Sequence, residues 1–404
     1  MNSSPFKKIA ILTLLLAQPA LSQERFIPSM NEVVVNESIH SVGVRNGELR
    51  VLERAWQASP NNLDASLSYA RAVFIIGLQE ADLRWFGSAK AALLPWWKAT
   101  DLPAEGFFVR GLIKQGFHEF DEGLKDINLA IQKNPNKPEF WSWRFSLHLL
   151  RSDINGARQD ILGITRLFGE KEANIYRGIL SYRTGQPEKA IELLKAAIKD
   201  SYYQDAFSQD WLSFHLGEAY RLNGNSEQAI NVWEKQLRKN PKSHLIRLSL
   251  AELYNHQGMY QKVLKVSGLG SESYLITDAL LVQALLASKA LKDPIESKLV
   301  TQIEARLKSQ AMREEIIIER PKLNYFIRYG KNPESGLALS IDNWKLQNEL
   351  PDAVLFIEAA LLVNKPMAAK PVIEWVNKTG IKDQELSALI VKLKAHPLWT
   401  VGRS

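Results

Sequence analysis

The sequence predicts an all-α fold: a right-handed superhelical solenoid of helix-turn-helix pairs, with degenerate helical pairs at its C-terminal end. Three observations predict it. Apolar residues recur at three-and-four spacing, as Ala190, Ile191, Leu194, Ala197 and Ile198 do, which gives each helix one stripe to bury. Small residues recur twelve apart: Gly111 with Gly123, Gly178 with Ala190, Gly217 with Ala229. Punctuation falls in step, with turn glycines expected at Gly77, Gly185, Gly224 and Gly258 and closing prolines at Pro60, Pro135 and Pro241. Self-similarity at such a period is the signature of stacked units that bury their faces only against neighbours.

Composition is consistent with this. Of 404 residues, 46% are apolar and 24% charged, an ordinary globular balance that leaves enough apolar mass for a core. There are no cysteines, so disulfides, thiol chemistry, cysteine zinc sites and cysteine-linked lipid anchors are excluded. The formal charge is +7. It is too mild and too evenly spread to argue for nucleic acid.

Residues 1–22 read as a secretory signal peptide. Lys7 and Lys8 form the positive end, Ile9 to Ala17 a short apolar run, and Ala20-Leu21-Ser22 a small-residue cleavage site. The run is far short of the roughly 20 residues a membrane span needs. No later segment reads as a span; the best, Val354 to Val363, is interrupted by Glu358. The expected address is periplasmic or secreted, with the mature chain starting at Gln23.

Residues 23–62 form an N-terminal arm and a capping helix. The arm, Gln23 to Gly47, holds the chain's strand-like alternation at Glu32–Val35 and Ser41–Val44. The helix Glu48–Ser59 ends at Pro60 as half a repeat. Residues 63–277 hold six pairs: Leu63–Trp96, Ala104–Lys137, Pro138–Glu170, Lys171–Gln204, Asp210–Ser243 and His244–Thr277. An insert around Asp205 lengthens one connection. Asp82, Phe145 and Val263 stand where smaller residues are expected.

Residues 278–404 form a helical, repeat-like C-terminal region. Asp293-Pro294 reads as a helix start, and Met312–Arg320 as a short charged stretch ending before Pro321. Helices follow at Gly336–Leu350, Asp352–Val363 and Ala368–Thr379, the last ended by Gly380. Pro321–His396 reads as two degenerate pairs closing the solenoid.

The fifth pair carries the fullest motif. Leu216-Gly217-Glu218-Ala219-Tyr220, Gly224, Ala229, Trp233 and Asn240-Pro241 match the tetratricopeptide repeat pattern. Four further segments bear a closer likeness: Asp82-Leu83-Arg84-Trp85-Phe86-Gly87 with Pro95-Trp96-Trp97; Gln115 to Phe120; Asn343-Trp344 and Gln347 with Pro351-Asp352-Ala353; and Pro371 to Trp375 with Thr379-Gly380. They resemble uncharacterised secreted tetratricopeptide proteins of proteobacteria. The resemblance covers most of the mature chain. It implies an exported helical solenoid and carries over no catalytic residue.

Catalytic and metal signatures are not found in the sequence. No two of the seven histidines lie three or four apart on one helix, so a metal site is not expected. Gly268-Leu269-Gly270 lacks the third glycine and the strand of a dinucleotide site. There is no Walker motif and no Gly-x-Ser-x-Gly. No cofactor is expected. Trp96-Trp97 and Trp141-x-Trp143 fit either a sugar-stacking platform or inter-helix packing. His118, at a turn, is expected to make an intramolecular hydrogen bond.

The groove is the candidate site. Positions two, five, nine and twelve of each first helix face inward. They give Asp64, Leu67, Arg71 and Phe74; Ser142 and Ser146; Ile175 and Tyr182; Trp211, Phe214, Glu218 and Arg221; Leu245, Leu248, Glu252 and Asn255. The partner-binding set is Arg71, Phe74, Tyr182, Trp211, Phe214, Glu218, Arg221, Glu252 and Asn255. Rings bury area and charges fix orientation, which suits peptide or protein capture. The expected function is a non-catalytic scaffold or adaptor for envelope proteins. The alternatives are a polysaccharide-binding module and an enzyme whose site is assembled across repeats.

Overall fold

The structure, a computed structural model, describes residues 46–199, 205–270, 276–312 and 320–399. The signal segment, the strand-like arm segments and most of Met312–Arg320 lie outside the described residues. Within the described residues there are twenty α-helices and no strand.

A capping helix α1 (Asn46–Ala58) precedes six pairs: α2 (Leu63–Glu80) with α3 (Arg84–Ala92), α4 (Ala104–Gly116) with α5 (Phe120–Lys133), α6 (Pro138–Leu150) with α7 (Ile154–Phe168), α8 (Glu170–Arg183) with α9 (Pro187–Lys199), α10 (Ala206–Leu222) with α11 (Ser226–Lys239), and α12 (His244–His256) with α13 (Tyr260–Ser267). The pairing runs on past Thr277 with α14 (Asp278–Leu291) and α15 (Glu296–Met312). A C-terminal lobe follows: α16 (Arg320–Ile327), α17 (Pro333–Leu346), α18 (Leu350–Leu362), α19 (Lys370–Thr379) and α20 (Gln384–Ala395).

The small residues sit where helices touch. A Cβ on Gly111 would lie 2.8 Å from Ile127, and one on Gly217 only 2.1 Å from Nε1 of Trp233. Local chemistry starts the helices. The side chains of Asn62, Asp153, Asp205, Asn225, Ser243, Thr277, Asn332 and Asp383 each accept a first-turn N–H, satisfying donors a helix leaves orphaned. Asp293 takes the N–H of Ile295 at 3.0 Å just before α15.

Several sequence expectations are corrected. Gly77 is not a turn glycine. It lies inside α2, where its missing side chain makes room for Phe86, 2.7 Å from a Cβ placed there. The left-handed turn is made by Ala81 (φ 50°), and the same role falls to His118, Ser152 and Lys292 in other pairs. Gly185, Gly224 and Gly258 do turn left-handed, with φ of 71–75°. Pro321 sits in the first turn of α16, where a missing N–H costs nothing. The helix expected over Gly336–Leu350 stops at Leu346, and α18 begins at Leu350 with Pro351 in its first turn. His118 stacks on Phe120 at 5.2 Å, but its Nδ1 is buried without a hydrogen-bond partner.

The lobe does not simply extend the stack. It folds back so that Leu323, Phe356, Ile357, Val372, Trp375, Leu386 and Leu393 share one apolar cluster with Phe145, Ile179, Tyr182, Leu216 and Leu222 of pairs three to five. Separate clusters fill the first two pairs, the α11–α14 region and the α14–α16 region.

Candidate functional site

The positions expected to face inward fall on α2, α6, α8, α10 and α12, each the first helix of its pair. At the N-terminal end Arg71 spans three pairs. It ion-pairs with Glu105 and binds Glu139 through two contacts of 2.6 and 2.7 Å. These groups are more than a third exposed, so the bridges orient side chains more than they stabilise. Phe74 is fully buried, against Phe86 at 5.1 Å and the edge of Trp143 at 5.9 Å. Ser142 accepts a hydrogen bond from the Tyr176 hydroxyl at 2.8 Å.

In the middle of the groove, Tyr182 is 4% exposed, and its hydroxyl shares a 2.6 Å hydrogen bond with Nδ1 of His215. Burial pushes the tyrosine pKa up and drives that of His215 down to about 3, with the Arg183 charge adding to the latter. Both groups are neutral at pH 7. Trp211 is half-buried, 6.0 Å from the Tyr176 ring and edge-on to His215 at 4.7 Å. Phe214 is half-buried beside it.

Arg221 directs its donors inward to the protein: two to Glu218 at 2.9 and 3.0 Å, one to Asp383 of the lobe at 2.9 Å. Asn255 donates to the carbonyl and side-chain oxygens of Gln283 at 2.9 and 2.7 Å. Glu252 is exposed, and no ion pair or hydrogen bond holds it among the described contacts. Surrounding protein still desolvates it and raises its pKa, Glu218 acting the same way against Arg320, Arg328 and Arg221. The nine candidates therefore divide. Trp211, Phe214 and Glu252 keep accessible surface, Arg71 is partly committed, and Phe74, Tyr182, Glu218, Arg221 and Asn255 are used within the fold.

The lobe's charges complete this lining, and the sequence reading missed them. Glu349 sits between Arg183 and Arg320. Burial alone would raise its pKa, but the two guanidiniums outweigh that and hold it at about 2. Arg320 also grips Asp352 at 2.8 and 2.9 Å, and Arg328 joins Glu358 and Glu385. Two quoted segments of the family resemblance fall on this seam: Gln347 reaches Asp352 at 3.3 Å, Trp344 meets Trp375 edge-on at 5.5 Å, and Gly380 lies against Gly185.

The tryptophan pairs are built into packing. Trp97 lies under Lys90 at 5.0 Å, Trp141 under Arg144 at 4.8 Å with its N–H on the Pro135 carbonyl, and Trp143 against Phe74. Among the described residues no group of three or more His, Cys, Asp and Glu side chains is placed to hold a metal. None of their helices is long and apolar enough to cross a membrane.

Helix pairs with close-contact glycines and left-handed inter-helix turns define the class: a tetratricopeptide-type helical solenoid. No protein-family model matches the chain, and no curated protein matches it. The solved structures that the chain matches are of low identity. They include PilF of Pseudomonas aeruginosa (15% identity, 52% of this chain and 91% of that one, TM-score 0.37). Another is the P58(IPK) tetratricopeptide domain (17%, 86% and 91%, TM-score 0.23). A third is the APC/C hetero-tetramer Cut9–Hcn1 (11%, 86% of each chain, TM-score 0.31).

Proposed function

We propose that this chain is a non-catalytic scaffold, exported from the cytoplasm, that holds a segment of an envelope protein along its concave side. One observation carries the reading. Trp211 and Phe214 of α10 and Glu252 of α12, on two adjacent first helices, keep accessible surface while the other candidates are taken up within the fold. Rings anchored by packing lose little freedom on binding, and such anchors dominate interface energies. The carboxylate would fix orientation by taking a cation of the partner. The lysine pair, apolar run and small-residue site at the N-terminus support export.

The test is a crosslinking pull-down from periplasm, followed by binding to the partner recovered. Trp211→Ala combined with Glu252→Lys is expected to weaken binding by about 2 kcal/mol or more with helix content unchanged. Lys189→Glu with Lys235→Glu, on exposed positions of α9 and α11, is expected to have little effect. The reverse pattern would make the convex face the working surface. Intact-mass measurement of the mature protein is expected to begin at Gln23; retention of Met1 would refute export.

A further inference from the structure

Stacked helix pairs touch only their neighbours, so curvature is normally set pair by pair. This chain departs from that rule. The segment Thr379–Glu385 crosses the turns of three successive pairs. The Gly380 carbonyl lies so close to Gly185 that a Cβ there would be 2.1 Å from its oxygen. Asp383 then accepts from Arg221 at 2.9 Å. The Gln384 amide nitrogen lies 3.1 Å from where a Gly224 Cβ would be, and a Glu385 oxygen lies 3.9 Å from Nε2 of His256. The third pair is held by the same lobe. Asn348 N–H donates to the Leu150 carbonyl at 2.8 Å, Arg151 donates to the carbonyls of Lys345 and Leu346, and the Trp375 indole N–H donates to Ser152 Oγ at 2.7 Å. Glu349 ties in Arg183.

We propose that α17–α20 and the Thr379–Glu385 segment are a built-in strap that fixes the spacing and curvature of pairs three to six. The groove over Trp211, Phe214 and Glu252 then has its width set before any partner arrives. The strap is closed in the resting protein, because Val372, Ile381, Leu386 and Leu393 are buried in a cluster shared with the pairs. This inference stands whether or not the proposed partner exists.

Gly185 and Gly258 allow a matched test. Both have left-handed backbone, with φ of 75° and 71°, but the space around Gly258 is open while Gly185 faces the Gly380 carbonyl. Asparagine tolerates that backbone. In the full chain, Gly185→Asn is expected to raise amide hydrogen exchange across residues 381–393 at least tenfold and to enlarge the radius of gyration in small-angle scattering. Gly258→Asn is expected to change neither. Should Gly185→Asn lose helix by circular dichroism, the milder pair Asp383→Asn with Glu385→Gln decides. Asparagine keeps the cap on Leu386 N–H but drops the charge facing Arg221, and exchange in α20 should rise several-fold with helix intact. Unchanged exchange in α20 in both variants, or an equal rise in Gly258→Asn, overturns the strap.

Discussion

Gly217 illustrates how one missing side chain sets the distance between two helices. Trp233, with 0% exposure, lies across it and packs α11 onto α10. Gly217→Leu is expected to overpack that contact and destabilise by roughly 1–3 kcal/mol or more, measured by urea unfolding. His215 and His244 act through protons. Burial holds them neutral, at pKa values of about 3 and about 4, beside Arg183 and Arg247 respectively. Unfolded, each would titrate near 6.5. Below that pH the unfolded chain gains protons that the folded chain refuses, so stability falls as pH drops from about 6.5 toward 4. The slope is about 1.4 kcal/mol per pH unit for each histidine. His215→Gln should remove its share of the slope in denaturant titrations at stepped pH, and an unaltered slope would contradict the assignment.

At the scale of the element, buried ion pairs tie helices of a pair together. Arg110 of α4 meets both oxygens of Asp126 of α5 at 2.7 Å and donates to the carbonyls of Trp96, Trp97 and Ala99. Arg144 of α6 repeats the device with Asp160 of α7, also sixteen residues on. The pattern sits in the sequence, but apolar spacing gives no hint that these charges are buried. Breaking one partner leaves the other desolvated and uncompensated. Arg110→Ala is expected to cost about 3–5 kcal/mol, with the loss seen as a lowered denaturation midpoint. A change below 1 kcal/mol would mean that Lys114, 2.8 Å from Asp126, suffices alone.

Across the whole molecule, the lobe is structural cover. Cutting the chain before Arg320 would uncover Ile179, Leu216 and Leu222, each buried in a cluster shared with α16, α18 and α20. At about 1.5–3 kcal/mol per exposed side chain, the remaining pairs are expected to lose more helix by circular dichroism than the removed residues carry, or to aggregate. Full retention of helix in pairs three to five would show that they need no cover. The spectrum of the intact protein should be helical, with no strand band.

The sequence by itself determined the repeat unit. Small residues twelve apart, turn glycines and apolar stripes are local signals, because each helix pair is specified by residues within its own forty or so positions. Six helix pairs lie between Leu63 and Ser267, although Gly77 was misread because a contact glycine and a turn glycine look alike without neighbours. Only the tertiary structure decided which inward residues stay free. Arg221, Tyr182 and Asn255 are claimed by Asp383, His215 and Gln283, and the lobe partner of Arg221 lies 162 residues away. Such pairings depend on where the chain returns in space, and no periodicity along the chain encodes that return.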